Sequence, residues 1–167
     1  MNQAFIDGQN LRLGTTKSNW KVDLVRFRRY LSEKYNVDKA YYFLGAVNNN
    51  YAGLYKSIQE SGFIIIFREH SDTMIGKKKG NVDTDIVFEI MQKLVEKEKF
   101  DKIVLVSGDG DYFKTVQYLI EKGRFERLLA PSKLAMSSLY RQFLKPGFYD
   151  FLDKDSIKQK IAYKKRR

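Results

Sequence analysis

Ile103–Val104–Leu105–Val106–Ser107–Gly108–Asp109–Gly110–Asp111–Tyr112–Phe113 is the stretch whose reading decides the fold. The first four residues are aliphatic with no polar break, so the strand predicted over Lys102–Val106 is buried on both faces, as in a parallel sheet. Two glycines inside Ser107–Asp111 let the chain bend tightly. Helical spacing resumes from Asp111 to Lys122, and Gly123 stops it. A carboxylate at Asp111 suits the positive end of that helix and can cap its free amides. In an open parallel sheet, ligands bind beyond the carboxyl ends of the strands. This strand–turn–helix unit therefore delivers Asp109 and Asp111 to a ligand-binding edge.

The same alternation extends in both directions. Asn2–Ile6 reads as a short buried strand that ends at Asp7. Asn19–Lys34 carries Trp20, Leu24, Phe27 and Leu31 at spacings of three and four, an amphipathic helix that Ser18 or Asn19 can cap. Lys39–Leu44 is a second strand, Asn50–Ser61 a helix ended by Gly62, and Phe63–Phe67 a buried strand. Glu69–Asn81 is polar and lysine-rich and reads as a loop. Asp83–Lys97 is helical through Ile86, Val87, Ile90, Met91 and Leu94. Phe125–Ala130 is another strand, Ser137–Phe143 a short helix and Phe148–Leu152 a last short strand. Strands alternating with helices predict one three-layer α/β/α domain around a mainly parallel sheet, spanning residues 1–152. Residues 153–167 read as a basic C-terminal tail, either irregular or a helical extension.

Composition bounds the chemistry. The chain has 167 residues, 43% hydrophobic and 14% aromatic, enough to bury a core. It has no cysteine, which excludes disulfides and thiolate metal sites. The single His70 excludes a multi-histidine zinc site. No segment near the N-terminus has the pattern of a signal peptide or a membrane span, so a cytoplasmic protein is expected. Lys and Arg number 31 against 20 Asp and Glu, a net charge of +11. That field favours a polyanionic partner, nucleic acid first, although it also serves solubility. A homodimer is one assembly compatible with such a domain.

Four acids are expected to converge. Asp7 directly follows a buried strand, where a carboxylate needs a partner or a metal. Asp109 and Asp111 lie beyond the next aliphatic strand. Asp83 opens a helix on the same face as Ile86, Val87 and Ile90, so it points toward the sheet. Asp85 is turned about 200° away by the helical rise, and Glu89 shares its side. Clustered carboxylates repel one another unless a cation neutralises them. Oxygen ligands without His or Cys suit Mg²⁺ or Mn²⁺, which can activate water and offset charge on a phosphate. Each acid also has a simpler reading: Asp83 and Asp111 as helix caps, and Asp109 as a turn former.

Three motifs then resemble those of the NYN domains, a branch of the PIN-like nuclease superfamily. They are Phe5–Ile6–Asp7–Gly8–Gln9–Asn10–Leu11, Lys79–Gly80–Asn81–Val82–Asp83–Thr84–Asp85 and Val106–Ser107–Gly108–Asp109–Gly110–Asp111–Tyr112–Phe113. The resemblance covers roughly Asn2 to Phe151. It implies a parallel α/β/α domain and metal-dependent cleavage of RNA, with Asp7, Asp83, Asp109 and Asp111 as catalytic metal ligands. It further implies that Asn10 orients Asp7 or a metal-bound water, that Ser107 hydrogen-bonds within the acidic turn and that Lys79 approaches substrate phosphate; Lys77 and Lys78, in the same basic run, are candidates to bind substrate by their charge. The chain departs from the pattern at Asn81, an extra residue, at Gly110 and Tyr112, and at Tyr140–Arg141–Gln142–Phe143, where an Ala-Asp pair is common.

The expected function is hydrolysis of single-stranded RNA, with Mg²⁺ or Mn²⁺ as cofactor. Tyr41, Tyr42, Tyr51 and Tyr55 are candidates to stack bases, though such residues more often build core. The alternative is a non-catalytic RNA-binding or adaptor module of the same fold. A phosphatase of the haloacid dehalogenase type is disfavoured, because that chemistry wants a second acid two residues after Asp7 and Gln9 stands there.

Overall fold

The central strand of the sheet is β1 (Asn2–Asp7), all six of whose residues are buried. In the computed structural model, which describes residues 1–69 and 82–164, β1 pairs in parallel with β2 (Val37–Leu44) on one side and β4 (Ile103–Val106) on the other. β3 (Ile64–Phe67) continues beyond β2, and β5 (Phe125–Ala130) and β6 (Tyr149–Phe151) continue beyond β4. The result is a six-stranded, all-parallel sheet of order β3-β2-β1-β4-β5-β6. The chain builds outward from β1 to β3, then returns to the middle and builds outward the other way. The strand order reverses between β1 and β4, and in such a sheet the crevice beyond the strand ends at that point is the binding site.

Alternation along β1 sends its side chains to two cores. Ala4 and Ile6 face one layer, with Leu11 of α1 (Gly8–Thr16), Phe27 and Leu31 of α2 (Leu24–Tyr35) and Ile58 of α3 (Ala52–Glu60). Phe5 faces the other layer, with Ile86 and Ile90 of α4 (Asp83–Val95), Val116 and Leu119 of α5 (Phe113–Glu121) and Tyr140 of α6 (Ser138–Phe143). This is the expected three-layer α/β/α architecture.

The structure corrects several expectations. α1 was not anticipated. The helix expected from Asn19 begins at Leu24, because Asn19 is left-handed (φ 55°) and Asp23 is the residue whose side chain caps, accepting from Arg26 N–H at 3.0 Å. Strand β3 is not fully buried: it is an edge strand, and Ile64 is exposed. The basic tail does take the helical form allowed for it, as α7 (Asp155–Ile161), but it is not a loose extension: Ile157 and Ile161 lie in the first core. Backbone bonds from Asp23 N–H to Ile161 C=O and from Tyr163 N–H to Lys21 C=O tie it to the entrance of α2. Folded structure therefore continues past residue 152. Lys77, Lys78 and Lys79, and most of the loop expected over Glu69–Asn81, lie outside the described residues.

Candidate metal centre

Asp7 ends β1 with extended backbone, and its Oδ1 accepts the Asn10 N–H at 3.0 Å. That bond makes Asp7 the N-cap of α1, which starts at once because Gly8 lacks a side chain. A Cβ at Gly8 would lie 2.4 Å from the Tyr42 ring and 2.8 Å from the Phe43 carbonyl. The side chain of Asn10 turns toward the neighbouring strand, where its Oδ1 accepts the Gly108 N–H at 2.9 Å. One asparagine thus joins the ends of β1 and β4.

The turn after β4 is shaped from within. Ser107 is fully buried, and its hydroxyl accepts the Asp109 N–H at 3.1 Å. Asp109 Oδ1 accepts the Asp111 N–H at 3.0 Å and so caps the short 3-10 turn Gly110–Tyr112 that leads into α5. The capping role expected of Asp111 is therefore filled by Asp109, and Asp111 is exposed. From α6, the Tyr140 hydroxyl donates to the Asp109 carbonyl. Burial, then the charges of Asp109, Asp111 and Asp83, push that hydroxyl far above its ordinary pKa, so it remains a donor.

Asp83 is the first residue of α4 and is buried. It meets the turn: one carboxylate oxygen from each of Asp83, Asp109 and Asp111 lies within 4.8 Å of the other two. Oxygens sharing one Mg²⁺ sit about 3–4 Å apart, so small side-chain rotations would seat a cation. The donor set among the described residues is hard and anionic, which suits a divalent cation that prefers oxygen ligands. The residues fit the ion.

Asp7 lies outside that trio. Its link to it is Tyr112, whose fully buried hydroxyl stands 3.1 Å from Asp7 Oδ2 and 2.8 Å from Asp83 Oδ1. Burial first, then the charge of Asp7 and the contacts to Asp83, drive this phenol far above its ordinary pKa, so it keeps its proton. Burial also raises the pKa of Asp7. The Asn10 N–H and the Tyr112 hydroxyl oppose that shift, and the charge of Asp109 adds to it.

The remaining sequence candidates are placed as follows. Asp85 is half-buried outside the trio, and its Oδ2 has no hydrogen-bond partner among the described residues. Glu89 pairs with Lys93 at 3.3 Å, away from the acidic turn. Tyr41 and Tyr42 are core, Tyr55 packs edge-on against Phe67, and Tyr51 is exposed. Sequence reasoning missed Tyr112 and Tyr140 as site residues. Both stand at positions where the chain departs from the motif pattern, and that was the available signal.

The NYN domain profile matches residues 3–145, most of the chain and all of the site. The chain belongs to the NYN domain family. That family is one of nuclease and RNA-binding domains. Among curated proteins, this NYN domain is 27% identical over 127 residues to the low amplitude and bright protein LabA of Synechococcus elongatus, covering 71% of this chain and 67% of LabA. Among solved structures it resembles a Vibrio parahaemolyticus protein of unknown function, with a TM-score of 0.75 and 17% identity over 97% of this chain and 95% of that one. The latter likeness concerns the fold. Among the described residues, no helix is long and apolar enough to cross a membrane.

The burial of Asp7 has a measurable consequence. A carboxyl whose pKa is raised on folding binds its proton more tightly in the native state than in the unfolded chain. The Asp7 contribution to metal-free stability is therefore fully present below the ordinary carboxylate range and is lost as pH rises through the raised Asp7 pKa. Asp7→Asn keeps an oxygen for the Asn10 N–H and removes the buried charge. In EDTA at neutral pH the variant should melt a few degrees above wild type and lose that part of the pH dependence. A melting temperature equal to or below wild type across the range would contradict the assignment.

Proposed function

We propose that this NYN domain is a Mg²⁺- or Mn²⁺-dependent ribonuclease that hydrolyses phosphodiester bonds in single-stranded RNA in the cytoplasm. The observation that carries the reading is the convergence of Asp83, Asp109 and Asp111 at the strand-order reversal of a parallel sheet, in a chain of this family. Asp83, Asp109 and Asp111 would hold the cation, with Asp7 behind them. A divalent ion there supplies Lewis-acid stabilisation of a phosphate and lowers the pKa of water. The chain's own part is to fix the carboxylates and to grip the polyanion. Asn10 and Ser107 hold the acidic turn in register, and Tyr140 braces its backbone. Phosphate affinity falls to basic residues: Arg12, Lys133, Arg141 and Lys145 are exposed on α1 and in or around α6, and Lys77, Lys78 and Lys79 precede Asp83 in sequence.

The test is an RNA cleavage assay on purified protein with Mn²⁺, with Mg²⁺ and with EDTA, using a labelled unstructured oligonucleotide. Cleavage is expected with either metal and none in EDTA. A protein idle under all three conditions, whose salt-sensitive RNA binding survives loss of the aspartates, is instead a binding module of the same fold.

A further inference from the structure

The acidic turn has an apolar wall on one side. Helix α6 is held inward by Tyr140 and Leu144, one turn apart and both buried, and the Tyr140 hydroxyl donates to the Asp109 carbonyl. Leu139 and Phe143, with the same spacing, lie on an adjacent face of that helix and are 38% and 58% exposed. Leu139 rests on the turn itself: a Cβ at Gly110, between Asp109 and Asp111, would stand 3.5 Å from its Cδ1. The Phe143 ring leans on Phe113, just past Asp111, at a centroid distance of 5.7 Å and an interplanar angle of 52°. Phe113 is in turn braced by Tyr140 at 5.9 Å. Phe143 is thus an aromatic ring backed by packing on one side and open to solvent on the other.

Exposed apolar side chains scattered singly need no explanation, but this one is not isolated. It ends a strip that runs from the acidic turn through Leu139, and the strip is edged with positive charge. Residues 132–147 contain Lys133, Arg141 and Lys145, all exposed, and no Asp or Glu. Open rings among cations make a surface for single-stranded nucleic acid, because bases stack on the rings and phosphates meet the cations. We propose that Phe143 is the platform on which a nucleobase of single-stranded RNA stacks beside the metal centre, with Arg141 and Lys145 meeting the flanking phosphates. This rests on the ribonuclease reading above and adds the part that selects a single strand, since in a duplex the faces of the bases are covered by their neighbours. Every base has a π-face, so the platform supplies affinity and register without sequence preference.

The experiment measures binding of a fluorescein-labelled single-stranded oligoadenylate to the full chain in EDTA, for wild type, Phe143→Leu and Phe143→Trp. Because Phe143 is exposed, both variants should keep the wild-type melting temperature and Mn²⁺ affinity. Phe143→Leu keeps apolar surface and loses the ring, and should bind about fivefold or more weaker, the lower end of what a stacked base contributes. Phe143→Trp should bind within about twofold of wild type or tighter. Unlabelled oligoadenylate should quench the added indole, read as the difference from wild type, whose one tryptophan is Trp20. A duplex RNA of the same length should bind the three proteins alike. With Mn²⁺, cleavage by Phe143→Leu should fall at subsaturating RNA and recover at saturating RNA. Wild-type affinity in Phe143→Leu, or an unquenched indole, overturns the platform, while cleavage by the wild type leaves the ribonuclease reading standing. Weakened binding by Phe143→Leu in a protein that never cleaves does the reverse. Absence of single-strand binding by the wild type overturns both. A wild type that sediments as a dimer, with Phe143→Leu a monomer of unchanged RNA affinity, overturns the platform in favour of contact between copies of the chain.

Discussion

Asp109→Asn should lose Mn²⁺ binding and RNA cleavage together while remaining folded. The amide keeps an oxygen for the Asp111 N–H, so the 3-10 turn retains its cap. The Tyr140 bond goes to the Asp109 backbone carbonyl and is untouched by the change. What disappears is one anionic oxygen of a three-carboxylate set. Removing residues that only support metal ligands costs about 10- to 100-fold, so loss of a ligand should cost at least about 100-fold in affinity and in cleavage at fixed metal. Asp83→Asn should do the same. Asp111→Asn should cost less, because its carboxylate is exposed and a water can take its place. The measurement pairs Mn²⁺ calorimetry with cleavage and with a melting curve. An Asp109→Asn protein that cleaves RNA at the wild-type rate removes the acidic turn from the mechanism.

The parallel sheet was legible because its strands are aliphatic runs with turn residues on either side, and the site was legible because its acids sit just past those runs. What escaped is instructive. The segment Gly-Gln-Asn-Leu-Arg-Leu-Gly-Thr-Thr of α1 has two glycines, two threonines and two leucines, so neither propensity nor periodicity marks a helix. It forms because Asp7 caps it and because Gly8 and Gly14 let it lie against Tyr42 and Pro131. The cap is local, but the glycine contacts are tertiary and invisible along the chain. Trp20 extended the apolar period backward and drew the start of α2 too early, whereas the left-handed Asn19 and the cap at Asp23 fix the true start. The docking of α7 on the core was hidden by its lysines, although Ile157 and Ile161 have the i, i+4 spacing of a buried face. Four acids were expected to converge. The structure brings three together and puts a tyrosine between them and the fourth, and no spacing rule could have located a hydroxyl between two carboxylates.

That geometry depends on a close approach at Gly108. Its N–H is donated to Asn10 Oδ1, and its carbonyl accepts the Ser137 N–H at 2.8 Å. The chain at Ala135 and Met136 lies directly over its Cα: a Cβ there would stand 1.8 Å from the Ala135 carbonyl oxygen, 2.7 Å from its carbon and 3.1 Å from Met136 Cα. These are backbone atoms, so no rotamer relieves the clash. Gly108→Ala must lift the 132–137 segment from the turn, breaking the Ser137 bond and loosening the braces from Asn10 and Tyr140. Overpacking of this kind together with a lost buried hydrogen bond should cost about 3 kcal/mol, read from urea denaturation. Gly123→Ala is the control. Gly123 has φ +66° and open space where a Cβ would go, so its penalty is conformational only, about 1 kcal/mol. Mn²⁺ affinity should fall in Gly108→Ala and stay at the wild-type value in Gly123→Ala, because only the first change moves Asp109 relative to Asp83. Equal destabilisation by the two variants would mean that the 132–137 segment does not rest on the acidic turn. The aim of the carboxylates would then need another support.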